Sequence, residues 1–366
     1  MKVPVKELCN AASAIDLVPS RAGISTSEFI RLHCHKGRLR MSLAAEIYGT
    51  MTAAIDPPVM EEWEFFVDRG TFIPFVTAAT ELRQKAPFEF KYDPGKKGNS
   101  QLAVRCGRRR GVFQSATEIT GYTAPKEDVG FKLKLTANQQ LILNLAVKYA
   151  TSDPTIAHLN CVYLQRGKAI IASNQLAAFW MEDPVVPMSA PLPLLLLAVS
   201  ERADVRELIV SQKSARVTLS CGYLCQFTNQ KAAEDFPYKQ IEKNIQAAEA
   251  YRKQFTIEAA SLMTVLKRLE SYIASVVKRD MVVSVHGTKG ESTLQLVAAV
   301  PQGRFEETVE ILHPLRRDVE CEWMLSLLLP LYDVAGKLGH VTVKYDDSTP
   351  FLFSSKGMRL LASRKQ

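Results

Sequence analysis

The residues of this chain whose types and spacing could do chemistry are few. His33 and His35 are two residues apart in an apolar segment typical of a strand, so both rings would lie on one face and could offer two nitrogens to a metal ion. A third ligand is not evident, and we therefore interpret both histidines as structural. The Gly-Lys-Lys-Gly run at 95–98 lacks the spacing of a phosphate-binding loop, and its Pro-Gly-Lys context predicts a hairpin turn.

The acids and thiols also fail to form a recognisable site. Adjacent acids occur at 61–62, 306–307 and 346–347, but neighbouring side chains diverge, so none of these pairs predicts a general acid–base dyad. The cysteines, which form no Cys-x-x-Cys pair, are interpreted as buried free thiols at 9, 34, 106, 161, 221, 225 and 321. We therefore expect no catalysis, no metal and no cofactor. An enzyme remains the rival functional class. A concave pocket that contains titratable groups with shifted pKa values would favour it.

Composition places the chain among ordinary globular proteins. Its 366 residues are enough for two or three domains, and with 47% hydrophobic and 23% charged residues the disordered and coiled-coil classes fit poorly. The longest apolar run, 191–199, is too short to span a membrane, and residues 1–10 lack a signal-peptide core, so we expect a cytoplasmic protein with no membrane partner. The net charge of +8 suggests an acidic partner such as nucleic acid.

The elements that would hold any site repeat three times along the chain. Each repeat has a helix, two strands joined at a glycine turn, a second helix and two further strands, and the turns contain Gly37, Gly167 and Gly287. The first helices are predicted at 5–16, 137–150 and 257–276, and the second at 72–85, 192–202 and 323–337. These repeats predict an α+β fold with three domains, at 1–125, 126–250 and 251–366, each with two helices packed on antiparallel sheets. Exposed edge strands at the ends of such units could join edge to edge and close into a ring.

Five segments carry a family resemblance: SEFIRLHCHKGRLRMSLA at 27–44, FKLKLTANQQLILNLAVKYA at 131–150, HLNCVYLQRGKAIIASNQLA at 158–177, EDFPYKQI at 234–241 and GMRL at 357–360. In order and spacing, the chain resembles a divergent member of the bacterial beta sliding clamp family, the processivity subunit of the replicative DNA polymerase. The resemblance implies three DNA-clamp domains and a head-to-tail homodimer that closes around duplex DNA. It also implies sequence-independent DNA binding, with the replicative polymerase and a clamp loader as partners.

A clamp that slides needs cations that attract phosphates without reading bases. The resemblance implies that basic residues on or near the helices serve this purpose, although each could also belong to an ordinary solvated helix face. The candidates are Lys6, Arg21, Arg83, Lys85, Lys148, Arg202, Arg206, Lys267, Arg268, Lys278 and Arg279.

The family binds clients by inserting a short peptide into an apolar cleft between its second and third domains. Residue by residue, this implies a cleft made of Leu159, Asn174, Gln175, Leu176, Pro237, Ile241, Met358, Arg359 and Leu360. Leu159, Leu176 and Ile241 could equally be core residues, whereas Met358–Leu360, near the chain terminus, are expected at the cleft rim.

The chain departs from the family pattern in this cleft. Residues 172–176 replace a Thr-Asp-Gly-His-Arg-Leu run, so its glycine, histidine and arginine are absent, and Lys356-Gly357 replaces Met-Pro. Six residues, 361–366, extend past the usual end. We therefore expect a weaker dependence on acidic groups in the client.

Ring closure would join the first domain of one chain to the third domain of another. The candidate edge strand is 101–115, and the matching surface includes Tyr272 and Ile273. Arg105, Arg108 and Arg110 on this edge are interpreted as partners in ion pairs between subunits, with DNA contacts as the competing interpretation. Those two residues could equally pack within their own domain. A second rival function is a monomeric clamp-fold scaffold or DNA-binding protein that has lost ring function.

Overall fold

The computed structural model of this protein separates into two compact units. One comprises Met1–Lys134 and Leu192–Gln230, and the other comprises Leu135–Pro191 and Lys231–Gln366. The three-domain division of the chain stays a prediction. The structure describes residues 1–16, 29–44, 47–54, 61–81, 86–95, 100–115, 130–133, 136–151, 153–194, 197, 205–211, 214–219, 224–228, 235–273, 282–300, 303–346 and 350–363.

The described helices pack on antiparallel sheets, as the α+β prediction requires. They are α1 Val5–Asp16, α2 Arg69–Glu81, α3 Ala137–Val147, α4 Tyr238–Glu249, α5 Ala259–Ile273, α6 Leu325–Leu328 and α7 Ala335–Leu338, with short 3-10 helices at Pro154–Leu159 and Leu329–Val334. None of them has the length and apolar character that crossing a membrane requires.

Two of the predicted second helices need correction. Of the helix predicted at 192–202, Leu192 and Pro193 belong instead to a strand, Ala190–Pro193, whose two prolines suit its place at the edge of a sheet. Leu194 and Leu197 are helical, and residues 195–196 and 198–202 lie outside the described residues. Trp323 also lies in a strand, Val319–Met324, and the helical stretch after it breaks into α6, the 3-10 helix and α7. Pro330 explains this break, because it lacks the N–H of a helix interior and clashes with the preceding turn.

The first unit is built on an eight-stranded sheet and a four-stranded sheet, with strands numbered in chain order. The eight-stranded order is β5 Trp63–Asp68, β2 Phe29–His35, β3 Arg38–Ala44, β4 Ile47–Ala54, β16 Leu224–Thr228, β15 Ser214–Leu219, β14 Val205–Val210, β9 Phe131–Leu133. The four-stranded order is β1 Lys2–Val3, β6 Phe88–Asp93, β7 Gln101–Cys106, β8 Arg109–Gln114. Apolar residues alternate along β2, so Ile30, Leu32 and Cys34 are buried, and α1 packs against the neighbouring β3 and β4.

The remaining strands also form one eight-stranded and one four-stranded sheet. The eight-stranded order is β13 Ala190–Pro193, β10 Cys161–Gln165, β11 Ala169–Ser173, β12 Ala177–Glu182, β24 Met358–Ala362, β23 Phe351–Ser355, β22 His340–Tyr345, β17 Lys253–Glu258. The four-stranded order is β20 Gly303–Glu310, β19 Thr293–Val300, β18 Val282–Gly287, β21 Val319–Met324. The pair β12–β24 joins chain segments about 180 residues apart into one sheet, with Phe179 opposite Leu360.

Local signals explain where α3 begins. Thr136 and Gln139 form a capping box, in which the Thr136 hydroxyl accepts from the Gln139 backbone N–H at 3.2 Å and the Gln139 side chain accepts from the Thr136 N–H at 3.0 Å. The predicted start at 137 is therefore confirmed. At the other end of α3, Tyr149 stacks on Phe179 at 5.2 Å, and its hydroxyl donates to the Leu327 carbonyl at 3.0 Å.

The described thiols have the environment that the scattered spacing predicted. Cys9, Cys34, Cys106, Cys161 and Cys321 are free and buried. Burial raises the pKa of Cys161 to about 12, so this thiol stays protonated at neutral pH. Cys221 lies outside the described residues.

The Tyr149 hydroxyl gives a test of how the helices are held on the second unit's sheet. Tyr149→Phe should destabilise the protein by about 1–3 kcal/mol, because the buried Leu327 carbonyl loses its donor. Urea unfolding followed by circular dichroism would measure the change. Tyr332→Phe is the matched control, since Tyr332 is 47% exposed, and it should cost less than about 0.5 kcal/mol. Equal effects of the two substitutions would contradict a structural hydrogen bond at Tyr149.

Candidate functional site

One face of the second unit's eight-stranded sheet is covered by α4. Ile241, Ile245 and Ala248 line the buried side of this helix and pack in one apolar cluster with sheet residues that include Trp180 and Leu352. Leu159 belongs to the same cluster. The structure therefore brings the predicted cleft residues Leu159 and Ile241 together, and both are buried core residues, which favours the core alternative for their side chains.

An aromatic stack lies at the start of α4, around Pro237. The Tyr163 ring on β10 is parallel to Phe236, with centroids 5.1 Å apart, and also stacks on Tyr238 at 5.3 Å. Burial, followed by the proximity of Tyr238, raises the pKa of Tyr163, so its hydroxyl remains a neutral hydrogen-bonding group. Pro237 itself is half-buried, and in sequence it separates Phe236 from Tyr238, the two residues whose rings stack on Tyr163. Sequence position predicted Pro237 as a cleft residue but did not predict the stack, although Phe236 and Tyr238 flank Pro237 directly.

The turn between β11 and β12 carries three of the predicted cleft residues. The Asn174 side-chain oxygen accepts from the backbone N–H groups of Leu176 and Ala177, at 3.2 and 2.8 Å, and Gln175 has a φ of 71° in the left-handed region. Asn174 therefore holds the turn in place. Leu176, at 48% exposure, is the predicted cleft residue with an accessible large apolar side chain, and its carbonyl accepts from Ser363 N–H at 2.7 Å.

Met358 and Leu360 correct the expectation of a rim at the chain terminus. Both are 0% exposed, because β24 is an interior strand between β12 and β23 and their side chains are packed in the core. Sequence position alone suggested a rim, but strand pairing places these residues inside. Leu361, on the opposite face of β24, is only partly buried and packs against the α4 cluster.

Arg359 is an internal crosslink. Its guanidinium pairs with Glu182 on β12 at 2.8 Å and with Glu249 at the end of α4 at 2.5 Å. The neighbouring Lys168 pairs with Glu242 on the same helix and lies over the Trp180 ring at 5.8 Å. Both basic residues therefore fasten α4 to the sheet.

The opposite face of this sheet carries helices with exposed cations. Lys148, just after α3, pairs with Asp333 at 2.6 Å, and Lys267 on α5 lies over the neighbouring Tyr332 ring at 5.3 Å. The structure thus brings Lys148 and Lys267, 119 positions apart, to one helical surface. Arg268 is held by a two-pronged pair with Glu307, at 3.0 and 2.9 Å.

The other predicted DNA-contacting residues are divided between described and undescribed segments. Lys6 is exposed on α1, and Arg206 is exposed on β14, a strand. Six candidates lie outside the described residues, namely Arg21, Arg83, Lys85, Arg202, Lys278 and Arg279.

The two four-stranded sheets each end in an edge strand of opposite charge. The segment predicted as one edge strand, 101–115, is a hairpin of two strands. β8 is the edge strand, whereas β7, which carries Arg105, is an interior strand. Arg110 on β8 and Arg108 in the turn are exposed. The edge strand β20 carries Glu306, Glu307 and Glu310. Tyr272, on α5, is exposed but stacks on Phe305 of β20 at 5.0 Å, whereas nothing is described of the Ile273 side chain.

Comparison with solved structures identifies the fold. The chain matches the DNA polymerase sliding clamp from Caulobacter crescentus with a TM-score of 0.76 and 16% identity, over 100% of this chain and 99% of that one. DNA polymerase III subunit beta from Pseudomonas aeruginosa matches with a TM-score of 0.74 and 14% identity, over 100% and 99% of the two chains. The beta subunit from Thermotoga maritima gives 0.73 and 15%, over 100% and 98%. No protein-family model and no curated protein sequence matches. The fold is therefore that of the bacterial beta sliding clamps.

The burial of Leu360 and the exposure of Leu176 predict different responses to the same substitution. Leu360→Ala should destabilise the protein by about 2–5 kcal/mol, because it leaves a cavity in the core beside the β12–β24 pair. Leu176→Ala should change stability by less than about 0.5 kcal/mol. Urea unfolding measures both. A change of less than about 0.5 kcal/mol on Leu360→Ala would contradict its burial and favour an accessible position at the cleft rim.

Proposed function

We propose that this chain is a DNA sliding clamp, which encircles duplex DNA and tethers a replicative DNA polymerase and other clients for processive synthesis in the cytoplasm. The observation that carries the proposal is the match to solved beta clamps over the whole of this chain and at least 98% of theirs. A fold supports many functions in general, but here the match covers the whole of this chain and nearly the whole of each clamp, so it is not a likeness of one domain alone. The proposed role is mechanical and needs no catalysis.

The proposed DNA contacts are made by exposed cations on the helices of each unit. Lys6, Lys148, Lys267 and Arg268 are all exposed and lie on α1 or α5 or just after α3. Three of these cations already have a partner on the protein, in Asp333, Glu270 or Glu307. Exposed ion pairs of this kind are worth only about 0–1 kcal/mol, so phosphates can compete for the cations without holding them in one register. That combination suits sliding.

The proposed client site is the α4 face of the second unit. The cluster under α4 is core and supports this face from below, and the groups proposed to contact a client are Leu176, Pro237 and the partly buried Tyr163. Burying one client leucine or phenylalanine there would contribute about 1.5–3 kcal/mol, so a micromolar peptide needs several anchors. Because Arg359 is neutralised by two carboxylates, acidic client groups find no free guanidinium at this position.

The proposed homodimer pairs β8 of one chain with β20 of another, which would place a basic edge against an acidic one. Both edges expose backbone groups that can extend a sheet. A clamp loader, the other proposed partner, would act by opening this contact between β8 and β20. Val112, at the centre of β8 and 53% exposed, would be covered by this contact.

Val112 gives a direct test of the dimer. The chain should sediment at twice its own mass, and Val112→Asp should convert it to a monomer, because it puts a carboxylate beside the acidic β20 edge. Analytical ultracentrifugation measures the mass. Val185→Asp is the control, since Val185 is 73% exposed and outside the β8 and β20 edges, and it should remain a dimer. A wild-type chain that stays monomeric at high concentration would contradict the ring.

Topological binding predicts a dependence on the form of the DNA. Chains dissociated by dilution and then concentrated with nicked circular DNA should remain on it in gel filtration at about 0.5 M NaCl, where phosphate contacts are screened. Cutting the circle with a restriction enzyme should release them. Equal retention on circular and linear DNA, or a dependence on base sequence, would contradict encirclement.

A further inference from the structure

A cationic pocket lies at the β2–β3 hairpin of the first unit. It has a volume of about 310 Å³ and is lined by His33, His35, Lys36, Arg38 and Arg40. Each of these side chains is a cation or becomes one on protonation. Such a lining attracts an anion and repels a metal ion. The spacing of the two histidines alone was compatible with a metal site, whereas the full lining favours an anion site.

The backbone of the hairpin holds these groups together. Lys36 and Gly37 both have positive φ, 47° and 69°, which is the conformation of a two-residue turn whose twist matches the flanking strands. The resulting antiparallel register sets each histidine opposite an arginine, with His33 facing Arg40 and His35 facing Arg38. Side chains on adjacent strands at such positions are neighbours, so the cations converge without any tertiary contact.

The acids near the pocket neutralise only part of its charge. Glu64 pairs with Arg31 at 2.6 Å, and Glu62 pairs with the His35 ring at 2.7 Å. In the described part of the chain, no carboxylate forms an ion pair with Lys36, Arg38 or Arg40. Among the described residues, three cations of one pocket therefore have no ion pair, an arrangement that an anion would stabilise.

His33 links the pocket to pH. Partial burial, and after it the positive charge of Arg31, lower the pKa of His33; His35 and Arg40 act in the same direction, and Glu64 opposes them. The ring is therefore neutral at pH 7. A bound dianion would favour the protonated ring and raise this pKa, so anion binding and proton uptake should be coupled.

We propose that this pocket binds the phosphate group of a small phosphorylated molecule. A tetrahedral dianion can accept hydrogen bonds from several convergent cations, whereas a backbone phosphodiester carries a single charge. The pocket is also a compact cavity at one turn and does not form a track along the sheet. It lies on the face of the sheet opposite the buried side chains of β2 and β3, and α1 packs against β3 and β4, so the duplex held by α1 under the proposed function would not fill it. The site does not depend on that function.

Sulfate and inorganic phosphate are suitable probes for the full chain. Titration of either should shift the imidazole signals of His33 in NMR spectra, with assignment by His33→Gln. Sulfate keeps its charge between about pH 5.5 and pH 8, so its affinity should rise as the pH falls and His33 takes up a proton. His33→Gln should retain binding at pH 8 and show a smaller increase at low pH, since His35 in the same lining can still take up a proton.

Matched substitutions separate a site from general charge. Arg40→Gln should weaken phosphate binding about tenfold, because one charged hydrogen-bond donor is lost. Lys91→Gln removes the same charge from an exposed position on β6 and should change the affinity less than about twofold. Equal losses in both variants, or no shift at His33 with either anion, would overturn the proposal.

A single-stranded oligonucleotide without terminal phosphates separates the two possible sources of phosphate. Under the proposal it should not displace sulfate from His33 at concentrations where inorganic phosphate does. Displacement by the oligonucleotide, with the same dependence on Arg40, would overturn the assignment to a small molecule and make the pocket a nucleic-acid contact. Each result is independent of whether the chain forms a ring.

Discussion

The organisation of the second unit depends on backbone pairing between β12 and β24. Without β24, β12 would be an exposed edge, and the unpaired N–H and C=O groups would have to be satisfied by water or another chain. The pairing turns two half-sheets, from chain segments about 180 residues apart, into one eight-stranded sheet. The β4–β16 pair does the same in the first unit. Each of these sheets is therefore a product of long-range pairing, and its residues cannot be assigned to faces until the register is known.

The two faces of that sheet carry different side chains and pack against different helices, because side chains alternate along each strand. Phe179 and Leu360 point to the face where Tyr149 packs, while Trp180 belongs to the cluster under α4. The helices with exposed cations cover the first face, and the apolar site with its aromatic stack lies on the second. One strand pair thus separates a surface suited to phosphates from a surface suited to an apolar peptide.

Many charged side chains of this protein form ion pairs that join one element of the fold to another. Arg359 and Lys168 fasten α4 to the sheet, and Arg268 joins α5 to β20 through Glu307. Cations held in this way lose little freedom when they move to another acceptor, which is compatible with transient contacts to a polyanion. The pocket at the β2–β3 hairpin differs, because its cations converge on a cavity and, among the described acids, Glu62 pairs with His35 alone while Glu64 pairs with Arg31.

Local patterns were enough to predict the α+β class, the start of α3 and the β2–β3 hairpin, since the capping box and the turn follow from contacts within a few residues. The scattered spacing of the cysteines was enough to predict that the five described thiols are free. The order of five segments was also enough to suggest the clamp fold. Local patterns failed where distant segments decide the outcome. Met358 and Leu360 looked terminal and accessible, but strand pairing buries them; Leu192 and Trp323 looked helical, but partners on neighbouring strands extend them. Likewise, the sequence could not show that Arg359 is paired, because its partners Glu182 and Glu249 are distant along the chain. It could not show the stack of Tyr163 on Phe236 for the same reason. Ion pairing and stacking depend on distance in space and not on distance along the sequence.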